Sequence, residues 1–194
     1  MQPDWERRTV AKAIRVRPSP GAVRTRRAYF DCKFGQLHVR TAFPATGGFD
    51  EQVTLFCLHS SDGSSRTFSR FLNVLADVRS VYAPDLPGYG ESDSSPARGV
   101  ADAATAMSDL ATDLRLRQID LLGVEYGAEV AVALAALRPE LVRRLVLVGA
   151  SAERLAAGKQ QRLVVNAAEY GDHPFDAAPQ ILIGQISSFL RPHP

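Results

Sequence analysis

Apolar residues in this chain recur with two periods, and the switch between them marks the elements. Val53-Thr-Leu-Phe-Cys-Leu58 is apolar almost throughout, as a strand covered on both faces must be. Phe68, Phe71, Leu72 and Leu75 return at helical spacing, predicting a helix over 66–76 with Ser64 or Ser65 as its N-cap. Arg79 to Ala83 reads as the next strand, and Ala104, Met107, Leu110, Ala111 and Leu114 share one face of a helix over 101–116. Residues 117–123 form a short apolar run ending in glycine, 128–137 a small-residue helix stopped by Pro139, and 141–149 a further buried strand. Together 117–149 make one βαβ unit with a right-handed crossover. Ahead of the alternating part, Ala28–Lys33 and Gln36–Ala42 are strand-like runs joined through Phe34-Gly35, a hairpin. The expected fold class is therefore α/β, a mostly parallel twisted sheet with helices on both faces behind an N-terminal antiparallel hairpin.

Composition changes this picture in one place. The formal charge of +2 over 194 residues hides eight Arg or Lys against Asp4 and Glu6 in residues 1–27, a net +6 that leaves the rest at −4. With the break at Pro18-Ser-Pro-Gly21, this stretch reads as a basic, disordered extension, and 28–194 as a single domain. Clustered charge alone does not argue for nucleic acid, and no such partner is expected. No apolar run spans a bilayer and the start lacks a secretory core, so a cytoplasmic protein is expected. Cys32 and Cys57 match no metal spacing and read as free thiols in strands. Neither a metal nor a cofactor is expected, since no ligand cluster or phosphate-cradling glycine loop occurs.

The candidate chemistry centres on Gly123-Val-Glu-Tyr-Gly127, a strand-to-helix turn with glycines at the spacing of a nucleophile elbow. Such a turn lifts one side chain above the sheet, and here that residue is Glu125 rather than serine. Three segments, in order, carry a family resemblance: Leu58-His59 with its Ser/Gly loop, Asp85-Leu-Pro-Gly-Tyr-Gly-Glu-Ser-Asp93, and the Gly123–Gly127 elbow. The chain resembles the α/β-hydrolase family, whose D-x-P-G-x-G-x-S pattern the middle segment matches. The likeness resumes at 162–190, where Arg162–Val165 looks like the last strand and Pro179–Leu190 like the final helix.

The resemblance implies a hydrolase of small esters or similar substrates, with oxyanion donors at the backbone amides of Tyr126 and Ser60. Departures from the family limit that expectation. Only twelve residues separate Gly149 from Arg162, where relatives place a cap and a further strand, so a lidless fold is expected. At the histidine position, Gly171-Asp-His-Pro174 puts Asp172 in register, with His173 one residue away and Asp172 or Asp176 available to orient it. Glu125 cannot act as serine does, because its acyl product would be an anhydride. Dehalogenases and epoxide hydrolases of the family use Asp at this position; Glu is a methylene longer, and about 1 Å of misplacement costs on the order of a hundredfold.

The expected function is thus a hydrolase-fold protein with a degenerate triad and weak or no serine-hydrolase activity, a pseudoenzyme in the limit. Two alternatives stand beside it: a ligand- or protein-binding module using the vacated pocket, and a hydrolase with Glu125 as carboxylate nucleophile toward an epoxide or halide. A small-molecule ligand is the expected partner, with self-association through an open sheet edge or the uncapped pocket. Ser60 and Ser61 read as turn residues, His59 as a shaper of the oxyanion loop, and Asp85 and Asp93 as turn residues. His38 falls within the hairpin.

Overall fold

A computed structural model of the chain describes residues 23–45, 52–94, 99–149, 160–169, 175 and 180–191. Seven strands form one sheet: β1 (Arg24–Cys32), β2 (Gly35–Phe43), β3 (Thr54–Leu58), β4 (Val81–Pro84), β5 (Ile119–Val124), β6 (Val142–Val148) and β7 (Gln161–Val165), in the order β1-β2-β4-β3-β5-β6-β7. β1 and β2 pair antiparallel, β2 joins β4 antiparallel, and β3, β4, β5, β6 and β7 run parallel. The helices are α1 (Ser69–Leu75), α2 (Val100–Asp113), α3 (Tyr126–Leu137) and α4 (Gln180–Leu190).

Side-chain alternation divides the core in two. Phe56, Leu121 and Leu145 face α2 and α3 with Leu37 and Val39, while Leu55, Cys57, Leu122 and Val146 face α1 and α4. Every residue of β3 and β5 is buried. Phe175 plugs the second layer, its ring 5.3 Å from Phe68 and 4.8 Å from Phe71.

Several boundaries differ from the sequence reading. β1 begins at Arg24, so residues 24–27 of the basic stretch are paired strand rather than extension; their partners are Phe43 to Arg40. Arg and Thr are acceptable there because the strand is at the sheet edge and largely exposed. The hairpin turns at Lys33-Phe34, with Cys32 opposite Gly35. The helix expected over 66–76 is a 3₁₀ turn, Ser65–Phe68, followed by α1, and the Ser64 hydroxyl caps it by accepting from the Arg66 amide at 3.3 Å. α2 ends at Asp113, and α3 starts two residues before Ala128.

β7 continues the sheet directly beside β6, with Arg144 opposite Gln161 and Val148 opposite Val165. Twelve residues, 149–160, make this parallel crossover, near the least such a connection needs. Residues 150–159, on which the lidless expectation rests, lie outside the described residues. β7 forms the sheet edge, and its Val164 is 51% exposed. No helix among the described residues is long and apolar enough to cross a membrane.

At the amino ends of the parallel strands, Asp120 is fully buried and accepts from Arg79 at 3.0 Å and from both Nε and Nη2 of Arg143 at 2.9 and 2.5 Å. The same arginines donate to the Leu190 carbonyl, and Arg144 donates to those of Phe189 and Arg191. These are the carbonyls that a helix end leaves without partners, and cations there also complement the helix dipole. The network ties α4 to the sheet.

Candidate functional site

The carboxyl ends of the parallel strands bring together His59 after β3, Asp85 after β4, Glu125 after β5 and Gly149 after β6. In open α/β sheets this end forms the ligand crevice.

Glu125 sits at the tip of the strand-to-helix turn with φ 47° and ψ −106°, outside the regions that L-residues ordinarily occupy. Its amide donates to the Val148 carbonyl at 2.8 Å, and its own carbonyl accepts from Ala128 and Glu129, so α3 starts without an intervening loop. The glycines are steric requirements. A Cβ on Gly123 would meet the Gly127 carbonyl and Ala128, and one on Gly127 would strike the Leu58 carbonyl. That close approach sets the first turn of α3, with the Tyr126 amide, against the β3 end that leads into Ser60. The Glu125 side chain is exposed and lies over Gly149: a Cβ there would be 3.1 Å from Glu125 Cγ and 3.4 Å from the Ala167 methyl.

His59 is wholly buried, and both ring nitrogens are engaged. Nδ1 donates to the Ser60 carbonyl at 2.7 Å and Nε2 accepts from the Leu86 amide at 2.9 Å, which fixes the neutral tautomer. Burial pushes the imidazole pKa down, consistent with that tautomer. His59 therefore positions the loop and has no nitrogen left to move a proton. Its ring stacks edge-on against Tyr89 at 5.4 Å, and Tyr89 lies 6.0 Å from Tyr126, an aromatic path from the loop to the elbow. Burial raises the Tyr126 phenol pKa. The Ser60 hydroxyl donates to Asp62 at 2.6 Å and its carbonyl accepts from the Gly63 amide, so Ser60 closes a turn.

Asp85 is more than the turn residue the sequence suggested. It is buried, and its carboxylate accepts from the amides of Ser65 at 2.5 Å and Glu91 at 2.8 Å and from His38 Nδ1 at 2.8 Å. Burial pushes its pKa up, but these hydrogen bonds outweigh burial and hold the carboxyl below its usual range. Gly90 is needed because a Cβ there would land on this carboxylate. The Ser92 hydroxyl donates to the Asp85 carbonyl and accepts from the His38 amide, and Asp93 accepts from the Gln36 amide at 2.8 Å. The motif from 85 to 93 thus braces β2 to the crevice. His38, placed only in the hairpin by sequence, is its partner; the available signal was a histidine between two apolar residues, Leu37 and Val39, of a strand.

Asp172, His173 and Asp176 lie outside the described residues. Among the described residues, no group of three or more His, Cys, Asp or Glu could hold a metal. Cys32 and Cys57 are unpaired thiols, and burial pushes the pKa of both up, most for the fully enclosed Cys57.

The model of the alpha/beta hydrolase fold matches residues 53–171, more than half of the chain. The chain belongs to this family. A protein of unassigned role from Mycobacterium tuberculosis (strain ATCC 25618 / H37Rv) is 36% identical over 120 residues, 61% of this chain and 34% of that one. A 2-hydroxymuconate semialdehyde hydrolase of Pseudomonas sp. (strain CF600) is 43% identical over 82 residues, covering 40% and 28%. An epoxide hydrolase, CorEH, superposes with a TM-score of 0.56 at 25% identity over 66% of this chain and 42% of that one. The chain spans about a third of the length of the curated relatives it matches.

Proposed function

We propose that this alpha/beta hydrolase family member has weak or no serine-type ester hydrolysis, its elbow presenting a carboxylate where the acyl-accepting hydroxyl would stand. The reading rests on Glu125, which occupies the strained tip of an otherwise intact elbow. The frame is set by backbone and glycines, so it tolerates a changed side chain at its tip. The amides of Tyr126 and Ser60 are the oxyanion donors in this proposal, and the crevice serves a small-molecule ligand. Steady-state hydrolysis of a short-chain p-nitrophenyl ester tests it on the native chain beside Glu125→Ser and Glu125→Ala. The native chain is expected to be silent. Activity lost in Glu125→Ala would overturn the proposal, and a gain in Glu125→Ser would identify a working oxyanion hole.

A second reading makes Glu125 a carboxylate nucleophile at saturated carbon. It is favoured by the exposure of Glu125 at the start of α3 and by the structural likeness to an epoxide hydrolase. Attack would form a Glu125 Oε–carbon bond while the epoxide carbon–oxygen bond breaks and its oxygen takes a proton from water. An added mass equal to the epoxide on the peptide holding Glu125 would establish it; an unmodified peptide after full exposure would eliminate it.

We place the protein in the cytoplasm, a reading supported by its unpaired cysteines. Self-association through the open β7 edge belongs to the same proposal, and a concentration-independent monomer in sedimentation would remove it.

A further inference from the structure

We infer that the groove between the β1–β2 hairpin and α1 binds a phosphoryl dianion carried on a small molecule. The groove encloses about 500 Å³ and is lined by Arg26, Arg27 and Arg40 together with Thr41, Ser69 and Asn73. That volume suits a small ligand. Arg27 and Arg40 share one face of the hairpin, while Arg26 and Thr41, the next pair in register, point to the other; Ser69 and Asn73 add neutral hydrogen-bonding side chains, and the carboxylate beside Arg27 is that of Glu91.

Two observations separate this groove from an ordinary solvated basic face. Arg27 and Arg40 stand directly opposite each other in the β1–β2 ladder, where like charges oppose pairing. Arg27 is half compensated, 3.5 Å from Glu91, which also accepts from Arg66 at 3.1 Å. Arg40 lies on an interior strand, between Arg27 of β1 and Ala83 of β4, and its Nε is buried with no hydrogen-bond partner among the described residues. A buried charged donor without an acceptor is costly. A bound dianion removes both costs, because a planar guanidinium presents paired donors that match phosphoryl oxygens.

The site is on strands and a helix away from the elbow, so its test is independent of hydrolysis. Calorimetric titration of the full chain with pyrophosphate at low ionic strength should show saturable binding. Arg40→Gln should raise Kd by about tenfold or more, the worth of a charge-assisted hydrogen bond. Arg40→Lys, which keeps charge without the fork, should fall between. A role in folding alone would lower the melting temperature of Arg40→Gln without ligand. Anion binding instead predicts an unchanged or raised Tm, because a like-charge pair has been relieved, together with loss of the pyrophosphate-induced rise. Should Arg40→Gln fail to fold, Arg27→Gln and Arg40→Lys carry the same comparison. Absence of saturable binding, or equal binding by the variants, would overturn the inference. So would tighter binding of a short single-stranded oligonucleotide than of pyrophosphate, which would assign the groove to an extended polyanion.

Discussion

At the amino ends of the parallel strands, buried side chains carry the organisation: Asp120 pairs with Arg79 and Arg143, and these two arginines with Arg144 satisfy the last carbonyls of α4. At the elbow on the carboxyl side, backbone carries it, with His59 and the Asp85–His38 pair bracing the loops beside it. Gly123 and Gly127 let α3 settle on β3, Gly90 makes room for the Asp85 carboxylate, and Gly149 makes room for Glu125. The first end therefore has little tolerance for loss of a side chain, whereas the second keeps its shape when the side chain at its tip changes. This difference explains how a hydrolase elbow can persist with glutamate at its centre.

The contrast is most severely tested at Asp120. In Asp120→Ala, Arg79 stays buried without its carboxylate, and breaking a buried pair by removing one partner costs about 3–5 kcal/mol. Urea unfolding should show that loss, while Glu125→Ala at the other end should remain within about 0.5 kcal/mol of the native chain. Comparable losses at the two positions would erase the distinction.

Gly127→Ala comes next. Its new methyl would strike backbone at Leu58 and His59, which cannot move aside as a flexible side chain would. Overpacking of this kind costs about 1–3 kcal/mol. The melting temperature should fall, and in Glu125→Ser any gained esterase activity should vanish when Gly127→Ala is added. Full activity in that double variant would show that the elbow does not depend on this contact.

The fold was legible because its elements announce themselves locally: the all-apolar 53–58 run, the helical spacing of Phe68 to Leu75, and the glycines that bracket Glu125. The elbow could be placed by glycine spacing because only glycine tolerates those approaches. What could not be read were contacts between segments far apart in sequence. Nothing local to His38 points to Asp85, 47 residues away. Arg24 and Arg27 looked like the continuation of a basic tail because edge strands accept charged residues that a buried strand would refuse. Arg143 and Arg144 sit inside an apolar run, and their use becomes visible only when α4 returns to them.

The smallest expected effect lies at Glu125 itself. A non-glycine residue at φ 47° and ψ −106° holds backbone strain of about 1–3 kcal/mol, while glycine adds about 0.5–1 kcal/mol of chain entropy to be lost on folding. Glu125→Gly should therefore stabilise the protein by about 1 kcal/mol, whereas Glu125→Ala, with the same strain, should not. Paired chemical denaturation resolves this difference. A stabilised glycine variant would mean that the tip is held in place by its surroundings at the expense of stability, as expected of a position shaped for a ligand or a reaction. If glycine instead destabilises, the side chain lying over Gly149 beside Ala167 contributes more than the strain removes, and Glu125 then belongs with the side-chain-built end of the sheet.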